Sequence, residues 1–243
     1  MSKKIVAIIE ARMTSSRLPG KHLMEADGKP MLSHLVERLS KVKILNEIII
    51  ATTINSQDDV LEDLAHSLKI GIFRGSENDV MGRVVSAGEK YNADIICEVT
   101  GDCPIIDHEL VAQTIDSFLL SEVDYAQYGC KGGLPDGMGS QVFYLEALQR
   151  SEKMTSQDYD REHVTPHIIN NPDLFSSLYL NAPDELRYPD IAVTLDEYQD
   201  YVLIKKIIEH FSTLKKDFGC LDVIKLLNAK NSWLEINKDV ARN

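Results

Sequence analysis

Long apolar segments are absent from this sequence. Hydrophobic residues make up 44% of the 243 positions, but the longest uninterrupted apolar stretches, such as residues 5–9, are only about five residues long. A membrane-spanning helix needs about 20 consecutive apolar residues, so none is predicted. The stretch before Glu10 is also too short for the apolar core of a signal peptide. We therefore expect a cytoplasmic protein that does not bind a membrane.

Cysteine and positive charge are also scarce. The four cysteines, Cys97, Cys103, Cys130 and Cys220, form no CxxC pair, so we expect free thiols in a reducing compartment. Lysine and arginine total 26 against 38 aspartates and glutamates, which gives a net charge of −12. Nucleic-acid binding requires a positive surface, so a chain this acidic is a poor general binder of nucleic acid.

Short apolar runs alternate with amphipathic helical patterns over the first 120 residues. Apolar residues recur at helical spacing between 31 and 42, for example, and a strand pattern follows at 47–53. This alternation predicts an α/β fold, in which helices cover a mostly parallel sheet. The predicted strands are 4–10, 47–53, 70–73 and 94–100, and the predicted helices are 31–42, 57–68, 79–91 and 107–120.

The rhythm changes after residue 120, although we still expect a single domain over residues 1–243. Five glycines and one proline lie between 129 and 139, which is typical of a mobile loop. Residues 140–190 form a candidate insertion or dimerisation lobe. The predicted strands here are 125–128, 141–144, 174–181 and 191–194, and the predicted helices are 145–153, 197–211 and 220–227.

The loop after the first strand concentrates positive charge. Arg12, Arg17 and Lys21 place three cations within ten residues of an otherwise acidic chain, and Ser15 and Ser16 add hydroxyl donors. Parallel sheets bind ligands beyond the carboxyl ends of their strands, where backbone N–H groups of a loop can also bind an anion. The loop matches neither the GxxxxGK[ST] nor the GxGxxG phosphate motif. It is either a solvated surface loop or, as we expect, the phosphate-binding part of a site.

Two aspartates follow apolar strands at distant positions. Asp102 comes after the strand at 94–100, and Asp196 comes after the apolar run at 191–195. Mg²⁺ usually takes one or two protein carboxylates and completes its shell with phosphate oxygens and water, so this pair suits a nucleotide-bound Mg²⁺. Each residue also has a purely structural interpretation, Asp102 in an Asx-turn and Asp196 as a helix N-cap.

Together these segments resemble the cytidylyltransferase family of nucleotide-sugar synthetases, which includes the enzymes that make CMP-KDO and CMP-sialic acids. The similarity is greatest to its SpsF-like branch, which serves spore coat polysaccharide biosynthesis. The residues that carry the resemblance extend over nearly the whole chain. They are the segments 11–21 (ARMTSSRLPGK), 28–32 (GKPML), 73–83 (FRGSENDVMGR) and 100–104 (TGDCP), and residues 194–196 (TLD) with Asp200.

The resemblance implies a Rossmann-like fold and a reaction of CTP with a small sugar-type acceptor that gives a CMP-acceptor and pyrophosphate. It also implies Mg²⁺ as cofactor and a homodimer as the assembly. Arg12, Arg17, Lys21 and Asp102 would be catalytic, and Asp102 and Asp196 would hold the Mg²⁺. The nucleotide-binding residues would be Ala11, Arg12, Ser15, Ser16, Arg17, Lys21, Arg74, Gly75, Ser76, Asp79, Arg83, Thr100 and Gly101. The substrate-binding residues would be Asp136, Gln141, Glu162 and His163.

The sequence departs from the family pattern near the expected acceptor. Gln141 stands where SpsF-like sequences usually carry an acidic residue, and Ala192 stands where arginine is common. The acceptor therefore stays open among a 3-deoxy-ulosonic or nonulosonic acid, a sugar phosphate and a phosphonate, and so does the choice of CTP over another nucleotide.

Two other functions compete with the cytidylyltransferase hypothesis. A glycosyltransferase of the related fold would commonly carry an Asp-x-Asp motif, but Asp102 has no second aspartate two positions later. A nucleotide-binding protein without catalysis is the other alternative. The enzyme hypothesis requires that Arg17 and Lys21 lie close to both Asp102 and Asp196 in the folded chain.

Overall fold

A mostly parallel sheet runs through the centre of the molecule. The strands are β1 (Ile5–Glu10), β2 (Glu25–Ala26), β3 (Lys29–Pro30), β4 (Glu47–Thr53), β5 (Gly71–Gly75), β6 (Ile95–Thr100), β7 (Tyr125–Tyr128), β8 (Ser140–Tyr144) and β9 (Ser177–Tyr179). In the computed structural model, which describes residues 3–242, seven strands form one sheet in the order β5-β4-β1-β6-β8-β7-β9. β8 is antiparallel to β6 and β7, and the other neighbours are parallel. The predicted α/β fold is confirmed.

Helices cover both faces of this sheet. They are α1 (Met31–Leu39), α2 (Asp59–Leu68), α3 (Val80–Lys90), α4 (His108–Ser121), α5 (Leu145–Met154), α6 (Asp158–His163), α7 (Pro166–Asn170), α8 (Tyr198–Thr213), α9 (Cys220–Ala229) and α10 (Asn231–Leu234). Because side chains alternate along a strand, Ile5, Ala7 and Ile9 of β1 pack with α1, α2 and α4, while Val6 and Ile8 pack with α3 and α5. None of the helices between residues 3 and 242 has the length and apolar character that crossing a bilayer requires.

The second half of the chain differs in detail from the sequence predictions. Residues 191–194, expected as a strand, contribute only an isolated bridge between Asp136 and Ala192. Residues 140–190, expected as a small inserted lobe, add β8 and β9 to the main sheet and carry α5, α6 and α7. The dimerisation role of this segment stays a prediction. The sequence did not predict helices α6 and α7, because segments of six and five residues are too short to show a helical periodicity of apolar residues.

The carboxyl ends of β1 and β6 lie side by side and position the site. Glu10 and Thr100 are register partners at these ends, and the N–H of Gly101 donates to the carbonyl oxygen of Glu10 at 2.8 Å. The N–H of Leu195 donates to the carbonyl oxygen of Asp102, also at 2.8 Å. This second bond ties the segment before α8 to the turn after β6, so the two predicted metal carboxylates reach the same edge of the sheet.

Candidate active site

A polar cleft of about 280 Å³ opens at the carboxyl edge of β1 and β6. The loop after β1, the turn after β6, the start of α3, the end of α6 and the segment before α8 form its walls. The lining residues that the sequence predicted are Ala11, Arg12, Ser15, Ser16, Arg17, Lys21, Arg83, Thr100, Asp102, Glu162, His163 and Asp196. Glu10, His22 and Val80 also line the cleft and were not predicted.

Two cations of the loop meet the two distant aspartates inside this cleft. The Nζ atom of Lys21 lies 2.7 Å from Asp102 Oδ1 and 3.5 Å from Asp196 Oδ1, and Arg17 Nη2 lies 2.8 Å from the same Asp196 oxygen. Lys21 is only 5% exposed. We call these four residues the charge cradle. The proximity that the enzyme hypothesis requires is present, and each charge has an opposite charge within contact distance.

The loop that carries the cations is held at its base. The N–H of Met13 donates to Asp58 Oδ1 at 2.7 Å, and the buried Asp58 side chain also accepts a hydrogen bond from Thr53. The N–H of Gly20 donates to the carbonyl oxygen of Met13 at 3.0 Å, which closes the loop. Gly20 has φ of 75°, a left-handed conformation that glycine adopts without strain. This closure aims Lys21, on the short turn that follows, into the cleft.

Arg12 stands apart from the charge cradle, although it also lines the cleft. Its Nη1 lies 3.6 Å from Glu77 Oε1. Hydrogen bonds from Thr14 and Asn55 to Glu77 lower the pKa of that carboxyl group. The guanidinium of Arg12 is about two-fifths exposed, so it is free to turn towards an anion in the cleft.

Asp196 is not the N-cap of α8, which was its structural interpretation. The N-cap is Glu197, and Asp200 completes a capping box with it. Asp200 Oδ2 accepts from the N–H groups of Asp196 at 3.1 Å and Glu197 at 2.9 Å. The side chain of Asp196 is therefore left for the cleft, and its backbone is fixed by a neighbour.

The charge cradle fits a magnesium site that relies on the substrate for most of its ligands. Asp102 and Asp196 both lie within 3.5 Å of the ammonium group of Lys21, so their carboxylates converge on one cation. Within residues 3–242, no group of three or more histidine, cysteine, aspartate and glutamate side chains is arranged to hold a metal by itself. Two carboxylates together with phosphate oxygens and water suffice for Mg²⁺, which seldom uses an all-protein cage.

A buried carboxyl pair, which we call the floor, lies at the base of the cleft, where Glu10 is the member that lines it, and sequence reasoning missed this pair. Glu10 and Glu98 are hydrogen-bonded to each other, and Glu98 is only 3% exposed. Burial raises the pKa of Glu10, and burial together with the neighbouring Glu10 raises the pKa of Glu98 well above its ordinary value. Glu98 is thus the member of the pair that favours the protonated form, and its O–H donates a hydrogen bond to Glu10. The available signal was a glutamate inside the apolar strand pattern IICEV.

Two buried nitrogen-bearing side chains adjoin this floor. Burial lowers the pKa of Arg83, whose Nη1 donates to the carbonyl oxygen of Ser76. Burial also lowers the pKa of His22, so its ring is neutral at neutral pH. Arg83 Nε and His22 Nδ1 are buried atoms without a hydrogen-bond partner in the described part of the chain. The side chains beside the floor therefore have unused polar atoms, unlike the charge cradle.

The residues predicted to bind the acceptor are only partly brought together. Glu162 and His163, at the end of α6, line the cleft. Gln141 is the register partner of Glu98, and its Oε1 accepts from the hydroxyl groups of Tyr125 at 2.5 Å and Thr165 at 2.7 Å. It therefore braces the sheet behind the floor. Asp136 and Gly101 also lie outside the cleft lining.

The segment predicted to lie near the base of the nucleotide mostly faces elsewhere. Of residues 74–83, Val80 and Arg83 line the cleft. Arg74 pairs with Asp59 at 2.6 Å and Glu62 at 2.9 Å on α2. Asp79 caps α3 by accepting from the N–H of Gly82. The predicted residues that this places outside the cleft lining are Arg74, Gly75, Ser76 and Asp79. Their polar groups serve local structure here, and nucleotide binding by these residues stays a prediction.

Comparison with known proteins gives similarity along the whole chain. A family model described as cytidylyltransferase matches residues 6–239. The chain is 34% identical to the spore coat polysaccharide biosynthesis protein SpsF of Bacillus subtilis, over 92% of this chain and 94% of SpsF. It is 38% identical to the 3-deoxy-manno-octulosonate cytidylyltransferase of Pelobacter propionicus, over 47% of this chain and 44% of that protein.

A solved structure shares the complete fold. The structure of a cytidylyltransferase from Leptospira borgpetersenii serovar Hardjo-bovis superimposes with a TM-score of 0.90 at 30% sequence identity, and the match covers 100% of both chains. The elements that build the charge cradle thus belong to a fold shared over its full length.

Proposed function

The chain belongs to the cytidylyltransferase family, whose model matches most of its length, and from this premise we propose that it transfers CMP from CTP to a small sugar-type acceptor and releases pyrophosphate. The observation that supports the proposal is the charge cradle. Lys21 lies 2.7 Å from Asp102, and Arg17 lies 2.8 Å from Asp196. Each of these cations is paired with an aspartate carboxylate and is able to pair instead with a phosphate of the nucleotide.

The reaction that we propose makes one bond and breaks one. An acceptor oxygen bonds to the α-phosphorus of CTP while the bond from that phosphorus to the oxygen bridging the β-phosphate breaks. The electron pair leaves with pyrophosphate, and a hydroxyl acceptor also gives up its proton to water, whereas an ionised phosphate oxygen has none to lose. Such a transfer depends mainly on positioning and on neutralising negative charge.

The loop cations match this requirement. Arg17 and Arg12 have guanidinium groups suited to bidentate phosphate contacts, and Lys21 supplies a point charge. Asp102 and Asp196 would hold Mg²⁺, which when bound neutralises phosphate charge and orients the leaving group. Losing one preorganised contact of this kind costs about 3–4 kcal/mol of transition-state stabilisation.

The acceptor is proposed from the relatives and from the polar lining of the cleft. SpsF of Bacillus subtilis is described by its role in spore coat polysaccharide biosynthesis, and the Pelobacter propionicus relative by 3-deoxy-manno-octulosonate. We therefore propose a sugar, sugar acid or sugar phosphate of a surface polysaccharide pathway. The polar side chains of Glu10, Arg83, Glu162 and His163 line the cleft and offer both hydrogen-bond acceptors and donors to such a polyhydroxylated molecule.

A pyrophosphate-release assay tests the proposed function. CTP, UTP, GTP and ATP are each offered with Mg²⁺ and with a panel of sugar acids, sugar phosphates and phosphonates, and each reaction is repeated with EDTA. We expect release with CTP and at least one acceptor, and its loss when EDTA removes the metal. Release only from a nucleotide-sugar donor with a glycan acceptor would contradict the proposal and favour a glycosyltransferase.

A further inference from the structure

The last described residues of the chain contact the segment that carries Asp196 and the start of α8. Asn237 Nδ2 donates to the carbonyl oxygen of Ala192 at 3.0 Å and to Asp200 Oδ1 at 2.7 Å. Arg242 binds the same Asp200 carboxylate with both terminal nitrogens, Nη2 at 2.7 Å from Oδ1 and Nη1 at 3.2 Å from Oδ2. Residues 237–242 thus form a strap that ends on Asp200.

Asp200 connects this strap to the charge cradle. The residue is 0% exposed, so its negative charge needs a partner inside the protein. Arg242 supplies that positively charged partner, and Asn237 adds a further hydrogen bond to the same carboxylate. The same carboxylate accepts the backbone N–H groups of Asp196 and Glu197. An arginine at the end of the strap therefore fixes the backbone of a predicted metal carboxylate.

Arg242 also approaches Asp196 directly. Its Nη1 lies 4.0 Å from Asp196 Oδ2, on the side opposite to the oxygen that Arg17 contacts. The carbonyl oxygen of Ala241 accepts a long hydrogen bond of 3.4 Å from Arg17 Nη1. Arg17 and Lys21 are the cations proposed to turn to the phosphates of a nucleotide, whereas Arg242 is held beside Asp196 by its hydrogen bonds to the buried Asp200.

We propose that Arg242 is a positioning residue that acts through Asp200 to hold Asp196 in the orientation in which it binds the divalent cation. This inference rests on the proposed use of CTP with Mg²⁺. Residues that orient a metal ligand from behind typically change metal affinity about 10- to 100-fold when they are replaced. Arg242 itself touches neither the nucleotide nor the metal in this account.

Calorimetric titration of the full chain with CTP, in excess Mg²⁺ and separately in EDTA, tests the proposal. In the wild type, Mg²⁺ should tighten CTP binding. For Arg242→Gln we expect that gain to shrink about tenfold, while the dissociation constant in EDTA stays within about twofold of wild type. Arg242→Lys keeps the charge and one hydrogen bond, and should lie between the two. Lys238 lies on the same strap, and Lys238→Gln removes only an exposed ion pair with Glu235. This variant should match the wild type.

The outcomes of this titration test the positioning role of Arg242 separately from the proposed function. An Arg242→Gln variant with an unchanged Mg²⁺ gain, or with equal losses in Mg²⁺ and in EDTA, would overturn the positioning role. Where Arg242→Gln does not fold, Arg242→Lys decides, and a wild-type Mg²⁺ gain in it counts against the proposal. A wild type that binds no CTP overturns the proposed function, whereas one that binds CTP equally with and without Mg²⁺ overturns only this inference.

Discussion

The two sides of the cleft handle charge differently. In the charge cradle, Lys21 and Arg17 lie within 2.8 Å of aspartate oxygens, so each charge is neutralised by a neighbour until a ligand takes its place. On the floor, Glu10 and Glu98 are hydrogen-bonded to each other at a buried position, and burial raises the pKa of both carboxyl groups. Burial disfavours the charged form of a carboxyl group, so ionising this pair costs free energy. The paired charges of the cradle therefore cost the fold little stability, whereas the floor lowers the stability of the fold.

The largest expected effect comes from the cradle. Lys21→Gln removes the ammonium group that Asp102 and Asp196 share, and nothing then offsets the charge of an incoming triphosphate at this point. We expect the dissociation constant of CTP to rise about 100-fold, which corresponds to about 2.7 kcal/mol. Isothermal titration calorimetry measures it.

A matched control separates this effect from a general loss of positive charge. Lys29→Gln removes an exposed lysine that pairs with Glu37 outside the cleft, and CTP binding should not change. Equal CTP affinities for Lys21→Gln and the wild type would show that the triphosphate does not enter the cradle.

For the floor, we expect a substitution to raise the stability of the fold. In Glu98→Gln, the amide still donates to Glu10 but carries no titratable proton. Because folding raises the pKa of Glu98 above its ordinary 4.5, the folded state binds more protons, and wild-type stability falls as pH rises above 4.5 through the folded pKa. The variant escapes this loss, so it should be about 1–2 kcal/mol more stable at pH 8 and equal to wild type below pH 4.5.

Urea unfolding at several pH values measures this difference. The exposed Glu146 provides the control, since Glu146→Gln should follow the wild type at every pH. A Glu98→Gln variant that is less stable than wild type at pH 8 would mean that the carboxyl pair supports the fold.

The smallest effect is expected outside the cleft. Arg74→Gln breaks ion pairs with Asp59 and Glu62, which are partly exposed and contribute about 0–1 kcal/mol to stability. CTP affinity should stay within about twofold of wild type, measured by the same calorimetry. A tenfold loss of CTP affinity would instead support the sequence-based prediction that Arg74 binds the nucleotide.

The charge cradle could be predicted from the sequence, and the floor could not. Arg17 and Lys21 stand in a conspicuous basic loop, and Asp102 and Asp196 end apolar runs, so the topology of a parallel sheet leads all four to one edge. Glu98 only interrupts a strand pattern, and its proximity to Glu10 depends on the pairing of β1 with β6.

The strap and the segment around Arg74 show the same limit. The contact of Arg242 with Asp200 joins residues far apart in the chain through loop geometry, which carries no periodic signal. Arg74 has the residue type of a phosphate ligand, but its direction is set by acidic neighbours on α2. Strand positions were predictable for the first half, where β4 spans Glu47–Thr53 as expected, because buried parallel strands are continuous apolar runs.

A crystal structure of the protein with CTP and Mg²⁺ is the most direct test of whether the charge cradle binds the triphosphate and the metal. We expect Arg17 and Lys21 to contact the triphosphate, Asp102 and Asp196 to flank the metal, and Lys21 Nζ to move away from its position 2.7 Å from Asp102. A triphosphate bound elsewhere, with the Lys21–Asp102 and Arg17–Asp196 pairs intact, would contradict this expectation.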